Sequence, residues 1–127
     1  MGRHILVIDD HEETREALAT VLRTLDHQVD VVESGERGIE LSVLRRPEIV
    51  LVDLGLPGLD GLEVARRLRA RMQTDTPTLV AFTGYGRPED RERAREAGFD
   101  GFLLKPVSAE ELQAAIATHS VGTAIAR

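Results

Sequence analysis

Three short apolar runs constrain the fold of this chain more than any other feature of its sequence. They cover residues 5–8, 49–52 and 79–82, and a polar residue follows each of them directly. Runs that are apolar throughout, rather than alternating, are typical of parallel strands covered by helices on both faces. These three segments are therefore predicted to be the central strands of a parallel sheet.

Two weaker segments complete the set of predicted strands. Residues 28–33 alternate valine with polar residues, as an edge strand with one exposed face does. Residues 102–104 form a brief apolar run that ends at Lys105 and Pro106. Because proline has no backbone N–H to donate, it interrupts strand pairing there. The chain therefore has five candidate strands.

Apolar residues at helical spacing predict helices between the strands. The first begins near Glu12, and the second begins near Ser34 and ends before Pro47. The third begins at an N-cap residue, Asp60, with Glu63 three residues later in a capping-box arrangement. The residues expected to face the core are Ala17, Leu18, Val21, Leu22 and Leu25 in the first helix, Ile39, Val43 and Leu44 in the second, and Leu62, Ala65, Leu68 and Met72 in the third.

The last two predicted helices differ in the apolar surface that they offer. Residues 89–97 form the fourth, between Pro88 and Gly98, and they offer the core little beyond two alanines. We therefore expect the fourth helix to be the least firmly anchored. The fifth opens with Ser108, and its core-facing residues are Leu112, Ala115 and Ile116.

The alternation of strand and helix predicts the fold class and the domain organisation. Five alternations indicate an α/β fold with an open parallel sheet. A length of 127 residues fits one domain, so we expect residues 1–127 to form a single unit with a core of about residues 4–118. Residues 120–127 lack periodicity and are expected to be a tail or the start of a linker.

The composition excludes several classes of function. The chain has no cysteine, which excludes disulfides, thiolate metal sites and a cysteine nucleophile and suits a cytoplasmic location. A net charge of −6 and only three phenylalanines and one tyrosine argue against direct binding of nucleic acid. No apolar run approaches the roughly 20 residues needed to cross a bilayer, so no membrane contact is expected.

The residues that follow the predicted strands suggest where chemistry takes place. The first strand leads into Asp9 and Asp10, the third into Asp53, the fourth into Thr83 and the fifth into Lys105. Ligands of open parallel sheets bind beyond the carboxyl ends of the strands, where the strand order reverses. We therefore expect these five side chains to converge on one site.

The expected charge of this site predicts a metal and a reaction type. Three carboxylates held several ångströms apart repel one another by roughly a few kcal/mol, so the cluster needs a neutralising cation. Oxygen ligands without cysteine favour a hard divalent ion, Mg²⁺ before Ca²⁺. A carboxylate pair that faces one further carboxylate, with Lys105 and the Thr83 hydroxyl opposite, is suited to phosphoryl transfer with a carboxylate as the nucleophile.

The chain resembles response-regulator receiver domains over about residues 4–118. The matching motifs are Val7-Ile8-Asp9-Asp10, Leu51-Val52-Asp53-Leu54-Gly55-Leu56-Pro57-Gly58-Leu59-Asp60-Gly61, Ala81-Phe82-Thr83-Gly84 and Phe102-Leu103-Leu104-Lys105-Pro106. Each motif alone is weak, but together, in this order and spacing, they are specific. The resemblance implies a flavodoxin-like (βα)5 doubly wound sheet of five parallel strands in the order 2-1-3-4-5.

The resemblance also implies the function and the residues that hold the metal. Asp53 would be the phosphoacceptor, taking a phosphoryl group from a phosphohistidine. Asp9, Asp10, Asp53 and the backbone carbonyl of Gly55 would bind Mg²⁺. Such a domain catalyses only its own phosphorylation and dephosphorylation, so it is not an enzyme that acts on a free substrate.

Further roles implied by the resemblance concern the phosphoryl group and the switch. Thr83 would bind a phosphoryl oxygen, and Lys105 would pair with the phosphoryl group. Phe102 would be the aromatic residue that turns inward when Thr83 moves. A cis peptide bond between Lys105 and Pro106 is also implied.

The resemblance implies partners as well. They are a histidine kinase or a histidine phosphotransfer domain, and a second copy of the chain through the fourth helix, the fifth strand and the fifth helix. Residues 82–86 and 97–102 resemble the receivers of hybrid sensor histidine kinases, and Gly84 stands where alanine is usual. The chain would then be part of a hybrid sensor kinase or a stand-alone response regulator.

Other interpretations of the same residues remain open from the sequence. Asp9 and Asp10 could cap the first helix, Thr83 could be an ordinary strand residue, Lys105 a surface lysine and Phe102 a core residue. Asp60 is assigned to capping. His4 is expected to be an ordinary edge-facing strand residue, and His11 a solvated neighbour of the acid pair. The solvent-facing side of the third helix is expected to carry Arg66, Arg67, Arg69 and Arg71.

Two rival functions follow from these alternatives. The chain could be a pseudo-receiver that serves only as an interaction module. It could also be a phosphatase with an aspartyl nucleophile, but such enzymes carry a second acid two residues after the nucleophile, and here that residue is Gly55.

Overall fold

Five strands build the sheet of this protein, and the computed structural model describes residues 2–84 and 86–118. The strands are β1 (His4–Ile8), β2 (Gln28–Val32), β3 (Ile49–Asp53), β4 (Thr78–Thr83) and β5 (Gly101–Leu104). They are all parallel and lie in the order β2-β1-β3-β4-β5. The flavodoxin-like fold, the strand order and the edge position of the second strand are thereby confirmed.

Five α-helices alternate with the strands. They are α1 (Glu12–Thr24), α2 (Gly35–Arg45), α3 (Gly61–Met72), α4 (Pro88–Ala97) and α5 (Ala109–Thr118), and a 3₁₀ turn, Gln73–Asp75, follows α3. None of the described helices is both long and apolar enough to span a bilayer. The predicted tail, residues 120–127, lies outside the described residues.

The sheet separates two apolar cores, because alternate residues of each strand face opposite sides. Ile5 and Val7 of β1 pack in one core with residues of α1 and α5. Leu6 and Ile8 pack in the other with residues of α2, α3 and α4. Every residue of β3 is buried, which explains why the four residues before Asp53 are apolar without alternation.

Helix caps hold the loops that lead to the candidate site. Asp60 Oδ1 accepts a hydrogen bond of 2.9 Å from the backbone N–H of Glu63, which fixes the start of α3. Ser108 Oγ accepts from the N–H of Glu111, and Glu111 Oε1 accepts from the N–H of Ser108, both at 3.0 Å. The second pair is a complete capping box at the start of α5.

Two residues predicted to face the core are exposed instead. Leu44 is 75% exposed, although the sequence places it among apolar residues of α2. It lies five residues after the buried Ile39, about 140° around the helix, so it cannot share that face. Ala17 of α1 is also exposed, and its neighbours Leu18 and Ala19 are buried.

Arg69 differs from the exposed side chain that the sequence predicts. Its guanidinium donates to the carbonyl of Gly98 through Nε at 2.9 Å and through Nη2 at 2.5 Å. Nη2 also donates to Asp100 Oδ2 at 2.9 Å. Arg69 therefore joins α3 to the residue that ends α4, whose only buried residues are Ala94 and Ala97.

Candidate functional site

The candidate site lies at the carboxyl ends of the three central strands and β5. Ile8 pairs with Val52, Asp53 pairs with Phe82, and Thr83 pairs with Leu104. This register keeps the ends of the strands level with one another. The residues that follow them therefore meet at one edge of the sheet, as Asp9, Asp53 and Lys105 do.

Asp53 lies in a buried position between a backbone donor and a cation. Asp53 is only 3% exposed. Oδ1 accepts a hydrogen bond of 3.0 Å from the N–H of Gly55, and Oδ2 lies 3.3 Å from Nζ of Lys105. The same Nζ lies 3.6 Å from Oδ2 of Asp9 and 4.9 Å from the centre of the Phe82 ring. One ammonium thus bridges two carboxylates.

The acid cluster leaves carboxylate oxygens without hydrogen bonds. Asp9 is fully buried, and its Oδ1 accepts from the backbone N–H of His11 at 2.9 Å. Oδ2 of Asp9 and Oδ1 of Asp10 are buried and have no hydrogen-bond partner among the described residues. Buried polar atoms without partners are costly, so these oxygens indicate that the site binds a further group.

The donor set of this cluster fits a divalent cation. One ligand atom from each of Asp9, Asp10, His11 and Asp53 lies within 4.8 Å of all the others. The three carboxylates carry more negative charge than Lys105 alone can balance. Oxygen-rich sites of this kind suit Mg²⁺.

The environment of Asp9 disfavours its charged form. Burial raises the pKa of Asp9 above its ordinary value of 3.8; the His11 N–H lowers it and the charge of Asp53 raises it. The Lys105 ammonium also lowers this pKa, but burial is the largest cause. At neutral pH an ionised Asp9 therefore destabilises the metal-free fold.

Asp9→Asn is expected to stabilise the metal-free protein by about 1–2 kcal/mol at pH 7. Because the pKa of Asp9 is raised in the folded state, the penalty disappears as the pH falls toward the unfolded pKa of 3.8, and the gain should shrink with it. Urea unfolding in EDTA at neutral and acidic pH measures both effects. Glu16→Gln, at an exposed acid of α1, is the control, and an equal free energy of unfolding in both variants would contradict this account.

Thr83 and Gly55 meet in a cavity beside the acid cluster. Thr83 ends β4 and is 4% exposed. The cavity has a volume of about 310 Å³, and Asp60, Arg87 and Asp90 also contribute to its wall. Gly55 also donates its backbone N–H to Oδ1 of Asp53 at 3.0 Å, so the cavity that Thr83 lines borders the residue that contacts the Asp53 carboxylate.

Phe102 lies in β5, and Pro106 follows the end of that strand. Phe102 is half-buried against the core under α4, and the guanidinium carbon of Arg91 lies 4.7 Å from its ring centre. The peptide bond between Lys105 and Pro106 is cis. In this structure Phe102 therefore packs against α4.

His11 and Arg15 make contacts at the site that were not predicted from the sequence. Nδ1 of His11 lies 3.5 Å from an oxygen of Asp9 and 3.5 Å from one of Asp10. Arg15 donates to the backbone carbonyl of Asp9 at 2.9 Å. At the other end of β1, away from the site, His4 Nε2 lies 2.7 Å from Asp30 Oδ2 of β2. The predicted neighbouring positions of the first two strands are the one signal that could have suggested this contact.

Comparison with known proteins identifies the family. The family model for the response regulator receiver domain matches residues 5–117. This chain belongs to that family. Receiver domains are the phosphoacceptor domains of two-component systems; they generally bind Mg²⁺ at an acidic pocket and interact with histidine kinases or phosphotransfer proteins.

Two of the similar proteins are transcriptional regulators of bacteria. AfsQ1, a transcriptional regulatory protein of Streptomyces coelicolor, is 36% identical over 112 residues, which are 88% of this chain and 48% of AfsQ1. PhoB, the phosphate regulon regulator of Pseudomonas aeruginosa, is 33% identical over 115 residues, 90% of this chain and 50% of PhoB. The chain therefore spans about half the length of these regulators.

A solved receiver gives a structural comparison. The receiver domain of the sensor histidine kinase PA1611 from Pseudomonas aeruginosa PAO1 superimposes with a TM-score of 0.85 at 30% identity. The match covers 96% of this chain and 99% of that one, and that structure holds a magnesium ion in its active site cleft. The same fold thus accommodates a cleft metal in a similar protein.

Proposed function

We propose that this receiver takes a phosphoryl group from a phosphohistidine onto Asp53 in a reaction that requires Mg²⁺. One observation carries the proposal: a buried Asp53 carboxylate lies 3.3 Å from an ammonium and beside buried acid oxygens that lack hydrogen bonds. Buried carboxylates in such a position are costly to the fold unless a cation neutralises them, and a bound cation is what phosphoryl transfer to Asp53 requires.

The proposed metal ligands are Asp9, Asp10, Asp53 and the backbone carbonyl of Gly55. Bound there, Mg²⁺ supplies positive charge against the transferred phosphoryl group and the acid cluster. Asp9 and Asp10 also keep the charge of the site negative when no ion is bound, which favours capture of a cation.

The chain's own residues carry the proposed transfer. A carboxylate oxygen of Asp53 forms a bond to phosphorus while the bond from phosphorus to the donor imidazole nitrogen breaks, and the electron pair stays with that nitrogen. Lys105 pairs with one phosphoryl oxygen, and the Thr83 hydroxyl donates to another. Attack of water on phosphorus later releases phosphate and restores the carboxylate.

An apolar groove next to Lys105 supports the proposed donor. It lies between α1 and α5, has a volume of about 550 Å³ and ends at Lys105 and Pro106. The exposed Ala17 lies on its α1 side, and Val107 and Leu112 lie on its α5 side. A helix of a histidine kinase or histidine phosphotransfer domain could place its apolar face here and its phosphohistidine over the rim.

The wider setting of the domain is part of the same proposal. We propose that residues 1–127 form one receiver unit that acts in the cytoplasm and does not bind nucleic acid directly. The receiver would be part of a hybrid sensor histidine kinase, as its similarity to the receiver of the sensor histidine kinase PA1611 suggests, or a stand-alone response regulator. After phosphorylation, Thr83 and Phe102 would reposition, and the surface of α4, β5 and α5 would change and support a homodimer.

The first test of the function is phosphorylation by a small phosphodonor such as acetyl phosphate. With Mg²⁺, the intact protein is expected to gain the mass of one phosphoryl group, and hydroxylamine should remove it as it removes acyl phosphates. EDTA should prevent the adduct. No adduct at saturating donor and Mg²⁺ would contradict the proposal, and absence of Mg²⁺ binding as well would favour the pseudo-receiver.

A further inference from the structure

His11 occupies a helix-capping position without capping the helix. It is the N-cap residue of α1, and its side chain makes no cap hydrogen bond. Serine, aspartate and asparagine are much better at this position. The imidazole points instead toward the acid pair, with Nδ1 3.5 Å from Oδ1 of Asp9 and from Oδ1 of Asp10. Its position thus suits interaction with that pair.

The spacing of these atoms is close to that of metal ligands. Four ligands that surround a zinc ion at about 2.1 Å lie about 3.4 Å apart in a tetrahedron. The His11 nitrogen lies at almost this distance from both aspartate oxygens, and an oxygen of Asp53 completes a group within 4.8 Å. Small side-chain movements would bring all four onto one ion.

A second observation points to a bound cation independently of His11. Asp9 is fully buried, and its Oδ2 has no hydrogen-bond partner among the residues that the structure describes. The nearest cation, Nζ of Lys105, lies 3.6 Å away and also faces Asp53. The buried oxygen is therefore available to a further cation in the cluster.

The type of ligand decides which cation gains from His11. Mg²⁺ takes oxygen ligands and retains several waters, so an imidazole adds little to its binding. Zn²⁺, Co²⁺ and Ni²⁺ bind imidazole nitrogen well alongside carboxylates. We propose that His11 Nδ1 makes this a mixed nitrogen and oxygen site that binds a divalent transition ion, of which Zn²⁺ is the expected example. This ion would compete with Mg²⁺ for the site.

This inference rests on the metal position of the proposed function, but it does not require phosphoryl transfer. A mixed metal site can be distinguished by experiment from a simple ion pair between a charged imidazole and the acids. In an ion pair, removal of the imidazole would remove positive charge and strengthen binding of every divalent cation. In a metal site it weakens binding of the transition ion and leaves Mg²⁺ nearly unchanged.

The test compares the metal-free full chain with His11→Asn. Asparagine is a favoured N-cap, so the variant is expected to fold at least as well as the parent. Calorimetry should show Zn²⁺ affinity lowered by at least about tenfold and Mg²⁺ affinity changed by less than about twofold. Cu²⁺, used as a spectroscopic probe, should show nitrogen coupling in the parent that His11→Asn loses and the control His119→Asn retains.

Each outcome separates this inference from the proposed function. Unchanged Zn²⁺ affinity in His11→Asn, or stronger binding of both ions, would overturn the mixed site. If Mg²⁺-dependent phosphorylation of His11→Asn then matched the parent, the proposed function would stand without it. If the parent protein bound metal through nitrogen but formed no phosphoryl adduct, the mixed metal site would stand and the proposed function would fail.

Discussion

Asp53→Asn is expected to lose Mg²⁺-dependent phosphorylation by more than about a thousandfold. The amide has nearly the shape of the carboxylate, so the fold is retained, but it offers no anionic oxygen to attack phosphorus. It also removes the charge that faces Lys105 at 3.3 Å. The measurement is the fraction of intact protein that carries a phosphoryl group after incubation with acetyl phosphate and Mg²⁺.

Asp60→Asn is the matched control for this experiment. Asp60 lies on the same rim, but its carboxylate caps α3 by accepting from Glu63 at 2.9 Å. Asparagine caps helices as well as aspartate does, so this variant should be phosphorylated like the parent. A full and equally labile adduct on Asp53→Asn would show that another residue is the acceptor and would sink the assignment.

Gly61→Ala is expected to lower the free energy of unfolding by about 1–3 kcal/mol. A Cβ at this position would lie 2.7 Å from the carbonyl oxygen of Asp53 and 2.9 Å from Cα of Leu54. Both are backbone atoms, which cannot move aside as the end of a flexible side chain can. The segment that carries Asp53 must therefore shift, and phosphorylation should slow as well.

Gly84→Ala tests whether the effect of Gly61→Ala comes from this contact. A Cβ at Gly84 would meet nothing within 4 Å, and its backbone is outside the left-handed region. The variant should be as stable as the parent, or more stable by some tenths of a kcal/mol, because alanine reduces the freedom of the unfolded chain. Urea unfolding of both variants measures the difference; equal stabilities would rule out the steric explanation.

The central strands were predictable because their burial is visible in the sequence. A strand covered on both faces is apolar along its length, and β3 is buried throughout and apolar up to Asp53, its last residue. The level strand ends then explain why residues as distant as Asp9, Asp53 and Lys105 meet. The strand order came from the resemblance, since alternation of strand and helix does not by itself decide which strand is central.

The side-chain partners could not be predicted from local patterns. Arg69 lies among exposed arginines of α3, and its partners Gly98 and Asp100 are about thirty residues further along the chain. The exposed Leu44 shows a related limit, because a short apolar stripe permits more than one choice of buried face. The direction of the His11 imidazole likewise depends on tertiary placement of the acid pair.

The two ends of α4 are attached to the rest of the protein to different degrees. Its carboxyl end is held by Arg69 at Gly98 and by the buried Ala97. Its amino end, at Arg87, has no side-chain cap and borders the cavity of Thr83. A tilt of the helix about Gly98 would be greatest at the end that borders the Thr83 cavity, beside the proposed phosphoryl-binding rim. A small displacement there would swing the outer face of α4 as one rigid body.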